Sequence, residues 1–86
     1  MHTVEMLGQA LDLSARLGYK VRQECLAGCG GGGCEIKGRK ILFLDLDLGP
    51  DEQLDQVLDT LRREPEAARL LMPHELREVL KMRMSA

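Results

Sequence analysis

Aromatic side chains are nearly missing from this 86-residue chain: Tyr19 and Phe43 stand alone, and there is no tryptophan. The core must therefore come from Leu, Val, Ile and Met, which fill space well but specify packing less sharply than rigid rings do. Long apolar runs are missing as well. The longest, Ile41 to Leu44, falls far short of the roughly 20 residues that cross a membrane, so no membrane partner is expected. An excess of positive charge is also lacking, the net charge being −2 with acids and bases interspersed. Nucleic-acid binding rests on clustered Lys and Arg. The bases Arg62-Arg63 and those from Lys81 to Arg83 instead sit at expected helix ends, where they complement the dipole. No nucleic-acid partner is expected either. Acids at Glu5 and Asp12, with no basic stretch ahead of an apolar one, do not read as a secretory signal. Three cysteines, an odd number, do not suit a disulfide-stapled secreted domain. A cytoplasmic location is the expectation.

What is present is the composition of a small globular domain, 44% hydrophobic and 30% charged, which is too apolar for disorder. A domain of this size buries only about 60–65% of its unfolded surface, so a partner or a second copy would add usefully to its stability.

Periodicity divides the chain into elements. Thr3 is placed to cap a first helix. In it Val4, Leu7 and Leu11 form one apolar row, and Met6, Ala10, Leu13 and Leu17 a second. Gly18 suits the left-handed position that ends a helix. From Tyr19 to Leu26 the residues alternate, with Tyr19, Val21 and Gln23 on one side and Lys20, Arg22 and Glu24 on the other, as in a strand with one wet face. A glycine-rich turn, Gly28 to Gly33, leads into Cys34-Glu35-Ile36-Lys37. Gly38-Arg39 is then expected as a two-residue type II′ loop before the most apolar strand, Ile41 to Leu46. Leu42, Leu44 and Leu46 share the side turned to the helices. Pro50 with Asp51 and Glu52 opens a helix whose Leu54, Val57, Leu58 and Leu61 recur at i, i+3, i+4 and i+7. Pro65 ends it near Glu64. Residues 66–72 look helical, and Pro73 opens a last helix with Leu76, Val79 and Leu80 on one side.

The expected class is α+β: an N-terminal helix, a three-stranded antiparallel sheet of hairpins, an amphipathic helix, and a short helical tail. Residues 1–64 form the α-β-β-β-α core, and 65–86 form a tail packed on that core or on a partner. Three strands leave two edges and a second face that so short a chain has little to cover, which makes self-association through them an expectation.

Four motifs invite chemistry. Gly28-x-Gly30-x-x-Gly33 matches the dinucleotide fingerprint in letters, but that fingerprint works between a strand and a helix, whereas a strand follows here. The glycines read as a flexible or bulged connection, or one that lets another backbone approach closely. Cys25, Cys29 and Cys34, with His74 or His2 as a fourth ligand, could hold zinc or an iron–sulfur cluster. Their C-x3-C-x4-C spacing lacks the usual C-x2-C knuckle, and small buried thiols or a Cys29–Cys34 pair closing on oxidation are the competing readings. His74-Glu75-Leu76-Arg77-Glu78 is half of H-E-x-x-H, with Glu78 where the second histidine belongs. Asp45 and Asp47, ahead of Asp51 and Glu52, gather acids where strand meets helix, and read as a strand end with its acids in water. Asp45, Asp47 and His74 supply no set of nucleophile, base and oxyanion donors, so no enzyme and no cofactor is expected.

From Leu17 through Glu24, on through Cys34-Glu35-Ile36-Lys37-Gly38-Arg39-Lys40, Phe43-Leu44-Asp45-Leu46 and residues 52–58, the chain resembles a family of small, functionally uncharacterised bacterial proteins of α-β-β-β-α order. That resemblance covers most of residues 7–64 and implies no activity. More distantly, the order of elements resembles the front of zincin-like metallopeptidase domains of the repressor-cleaving kind. Their helix after the strand bears H-E-x-x-H; the matching segment here, Asp51 to Arg63, has no histidine. The resemblance thus implies a scaffold without the site.

The functional expectation is a non-catalytic module that binds a protein partner or itself. Gly30, Gly31 and Gly32 of the loop and Met72, Leu76 and Leu80 of the tail are the contact candidates, the methionines supplying adaptable surface. Metal or redox chemistry at the cysteines is the alternative.

Overall fold

The computed structural model of the protein describes residues 2–28 and 31–84, and for residues 81–84 the backbone. Helix α1 (Thr3–Arg16) leads to strands β1 (Lys20–Glu24), β2 (Gly32–Ile36) and β3 (Arg39–Asp45), then helix α2 (Pro50–Arg62), a 3-10 turn (Pro65–Arg69) and helix α3 (His74–Met84). The α+β class and the order of elements are as the periodicity predicts.

The helix ends obey local rules. Gly18, at φ +97°, lets its own N–H donate to the Ala15 carbonyl and the Tyr19 N–H donate to that of Ser14, both at 3.0 Å. This is the paired bonding by which a left-handed glycine closes a helix. Pro50 takes the first position of α2 behind Gly49, with Asp51 and Glu52 in the first turn. At the other end of the chain's first helix the expectation is corrected: His2 is the N-cap, Thr3 is already helical, and no side chain caps it. Val4, placed in the apolar row, is 66% exposed.

The sheet departs most from expectation. Its order is β1-β3-β2, and it is mixed rather than antiparallel. β3 lies in the middle, parallel to β1 from Lys20 beside Ile41 to Glu24 beside Asp45, and antiparallel to β2 from Gly32 beside Phe43 to Ile36 beside Arg39. β1 and β2 therefore form no hairpin. The physical reason is composition. β3 carries the leucines that the helices need, so it takes the place with neighbours on both sides. β1, with Lys20, Arg22 and Glu24 on one side, and β2, with two glycines, suit edges. The β2–β3 hairpin does form, but one residue earlier than expected. Ile36 faces Arg39, so Lys37-Gly38 is the loop, with φ of 52° and 78°. Two positive values make it a type I′ turn rather than II′, and this twist matches that of the strands.

α1 and α2 pack side by side on one face of the sheet. Leu7, Ala10 and Leu13 of α1 meet Leu42 and Leu44 of β3 and Val57, Leu58 and Leu61 of α2, all buried. The tail closes this layer from the helical side: Leu76 is fully buried and Leu80 is 7% exposed. Leu46, expected in the helix-facing row, lies past the end of β3 and is 47% exposed.

Candidate interaction surface

The glycine segment owes its composition to close packing. β2 runs so near α2 that a Cβ on Gly33 would lie 2.5 Å from the Thr60 methyl carbon, and one on Gly31 would fall on the Phe43 carbonyl. Only a residue without a Cβ fits either place. The closeness is used. The Gly33 N–H donates to Thr60 Oγ1 at 3.0 Å, and the Gly31 N–H donates to Gln56 Oε1. The Gly31 and Gly33 amides are thus committed to α2. Of the contact candidates in this loop, Gly31 is exposed and Gly32 half-buried, while Gly30, with Cys29, lies outside the described residues.

The same loop must pass the end of β3 to join strands on opposite edges, and Asp45 makes that passage. The acids at the strand end are not both in water: Asp45 is fully buried and only Asp47 is exposed. Asp45 Oδ1 accepts from the Leu26 N–H at 3.0 Å and the Asp47 N–H at 2.9 Å, and Asp47 Oδ2 accepts from the Ala27 N–H at 2.7 Å. A buried carboxylate is tolerated when backbone donors surround it. The Gln53 amide of α2 donates to the Asp45 and Leu48 carbonyls at 2.9 and 3.1 Å, tying the helix start to the same corner. Both carboxylates accept from the backbone of the crossing loop and the strand end.

Among the described candidate ligands, Cys25, Cys34 and His74 are not brought together. Cys34 sits in β2 level with Ile41, two strands from β1, whereas exposed Cys25 follows the far end of β1. Strand geometry separates them by roughly 10 Å across the sheet and about 15 Å along it. His74 stands 83% exposed at the start of α3, its Nε2 3.6 Å from Glu78, and α3 packs on the helices. Among the described residues no group of three His, Cys, Asp or Glu could hold a metal ion.

In the tail, Leu76 and Leu80 spend their apolar area inside the molecule. Half-buried Met72 lines a hollow of about 320 Å³ with Leu61, Pro65 and Leu80.

Among the described residues, the region that lacks a cover is the other side of the sheet. Register places Lys20, Arg22 and Glu24 of β1, Arg39, Ile41 and Phe43 of β3, and Cys34 and Ile36 of β2 on the face away from the helices. Ile36 is 50% exposed. The Arg22 guanidinium lies 5.9 Å from the Phe43 ring centroid and 2.9 Å from the Glu24 carboxylate, shielding the ring in part. At one end of this face, Lys20, Arg22 and Arg39 rim a shallow depression of about 580 Å³. Neither Lys20 nor Arg39 pairs with a carboxylate among the described residues.

The edges differ too. On the β2 side the Gly31 and Gly33 N–H groups are met by α2, as above, while Glu35, the next outward-facing residue, is exposed. Among the described residues β1 has no strand neighbour besides β3. The Glu24 carbonyl accepts from the Leu46 N–H of the β3 side at 2.9 Å, so the groups of Val21 and Gln23, one residue out of phase, face outward. Periodicity singles out none of these edge residues as a contact, although alternating charges on a short strand are the usual mark of an edge.

On the helical side of the same sheet, Lys40 Nζ lies 2.7 Å from Glu64 Oε2 and 5.6 Å from the Tyr19 ring centroid. The hydrogen bond to Glu64 raises the Lys40 pKa, and burial raises that of Tyr19. This group clamps the start of β3 to the end of α2. Among the described residues no helix is long and apolar enough to cross a membrane. No family model, no curated protein and no solved structure matches this chain.

Proposed function

We propose that this chain is a non-catalytic interaction module that works in the cytoplasm with its thiols reduced, and that it engages a protein partner or another copy of itself through its sheet. One observation carries the reading. The helices cover one face of the sheet and α2 takes the Gly31 and Gly33 amides at one edge, while among the described residues the opposite face, with Ile36, Ile41 and Phe43, and the β1 edge stay open. An uncovered apolar strip rimmed by bases, beside an unpaired strand, is the surface that protein contacts use. The acids that a catalytic reading would need hold the backbone instead.

Site-specific photo-crosslinking in the cell that makes the protein tests this. A photoreactive residue at Ile36 or at Gln23 is expected to give discrete adducts, and one at exposed Glu5 on α1 none. Adducts from Glu5 alone, or none from the sheet positions, would sink the reading.

A further inference from the structure

We infer that the occupant of the β1 edge is a second copy of this chain, joined antiparallel about a two-fold axis at Gln23 so that the two sheets become one. This rests on the interaction reading above and names its partner. The outward-facing groups of Gln23 meet those of Gln23 in the second copy as a hydrogen-bonded pair, and Val21 continues the ladder toward Cys25. In that register Arg22 stands opposite Glu24 of the second copy, and Glu24 opposite its Arg22. Both are non-hydrogen-bonded positions, where cross-strand side chains come closest.

Charge selects this arrangement over the others open to two copies. Stacking the bare faces would bring Lys20, Arg22 and Arg39 toward the same three bases, with half-buried Glu24 the one acid of that row to offset them. Laying the bare face on the helical side of another copy is a head-to-tail contact, which builds rings or filaments and not a two-fold dimer. The edge register closes, and it pairs opposite signs twice. Charges on an edge strand ordinarily guard it against pairing. A row of one sign would do so; Lys20, Arg22 and Glu24 change sign along the row, which makes the edge complementary to its own reverse. The other edge is less open, because Gln56 and Thr60 already occupy its Gly31 and Gly33 amides.

The test is a charge swap read by sedimentation equilibrium on the full chain under reducing conditions, with circular dichroism confirming the fold. The wild type is expected to dimerise. Arg22→Glu and Glu24→Arg should each weaken the dimer about tenfold or more by opposing like charges at both pairs. Mixing the two variants should restore a dimer containing one of each, because every pair is then opposite in sign. Gln23→Pro, which removes an outward amide and no ladder bond within the sheet, should abolish dimerisation and leave the monomer folded. A wild type that stays monomeric to millimolar concentration would overturn the inference. So would single charge variants that dimerise like the wild type, or a mixture that fails to recover. A monomer that still gives photo-adducts with a different protein from Ile36 would leave the interaction reading standing and remove only the second copy.

Discussion

The two edges of this sheet solve the same problem in opposite ways. Each edge strand presents unpaired backbone groups, which are a template for further pairing. On the β2 side the chain satisfies two of them internally: glycines bring the strand close enough for the Thr60 hydroxyl and the Gln56 side-chain carbonyl to receive the Gly33 and Gly31 N–H groups. On the β1 side it leaves them open and flanks them with charges. A closed edge contributes to stability and nothing else. An open one costs little in water, because solvent satisfies it, and remains available. The contrast shows which part of a small domain serves the fold and which is left for contact.

That contrast can be broken at graded depth. The largest effect is expected at Asp45, which holds the crossover that sends β1 and β2 to opposite edges. Asp45→Ala leaves the Leu26 and Asp47 N–H groups without their acceptor and should cost about 3 kcal/mol by urea unfolding. Gly33→Ala comes next. Its Cβ meets the Thr60 methyl at 2.5 Å, so α2 must move off the edge at about 2 kcal/mol; Gln23→Ala on the open edge should stay within about 0.5 kcal/mol. Thr60→Val keeps the shape and removes the hydroxyl, leaving the Gly33 N–H unpaired. About 1 kcal/mol is expected, with faster hydrogen exchange at Gly33 and no change at Val21.

The smallest effect sharpens the closed side by pH. Both raised groups act in one direction: Lys40 holds its proton longer in the folded state, and so does Tyr19. Where the unfolded chain has begun to lose these protons and the folded chain has not, unfolding is favoured by rising pH. Their stabilising contribution is therefore complete below about pH 10 and lost as pH climbs through the raised values. Glu64→Gln should remove much of that alkaline dependence, measured as the melting temperature against pH.

How far the fold was legible depended on the range of the interactions that set each element. Leu54, Val57, Leu58 and Leu61 announced α2, and Gly18 and Pro50 marked ends, because a helix bonds within itself and its signals are local. The hairpin was legible to within one residue: glycine in the turn was visible, but Lys37 adopting the left-handed region beside it was not. Strand order was not legible. Nothing in residues 20–24 or 32–36 states which neighbour they will find, and consecutive strands pair often enough that the hairpin was the natural expectation. Asp45 was misread for a related reason. Its alternation with leucine fits a wet strand end, and only the crossing loop, held by donors from residues distant in the chain, makes a buried carboxylate acceptable there.

Of the surface, the sequence carried the alternation of Lys20, Arg22 and Glu24 and the closeness implied by so many glycines. Leu76 and Leu80 were legible as apolar, but not that the molecule's own core would take them. By itself, then, the sequence determined the three helices, the ends marked by Gly18 and Pro50, the existence of three strands and the charged side of β1, because these follow from neighbours within a few residues. The tertiary structure alone decided that β3 is central, that β1 runs parallel to it, that α2 seals one edge and that the other stays open. Those depend on which long-range pairing buries Leu42 and Leu44 while satisfying the buried backbone donors, and no short stretch of chain contains that information.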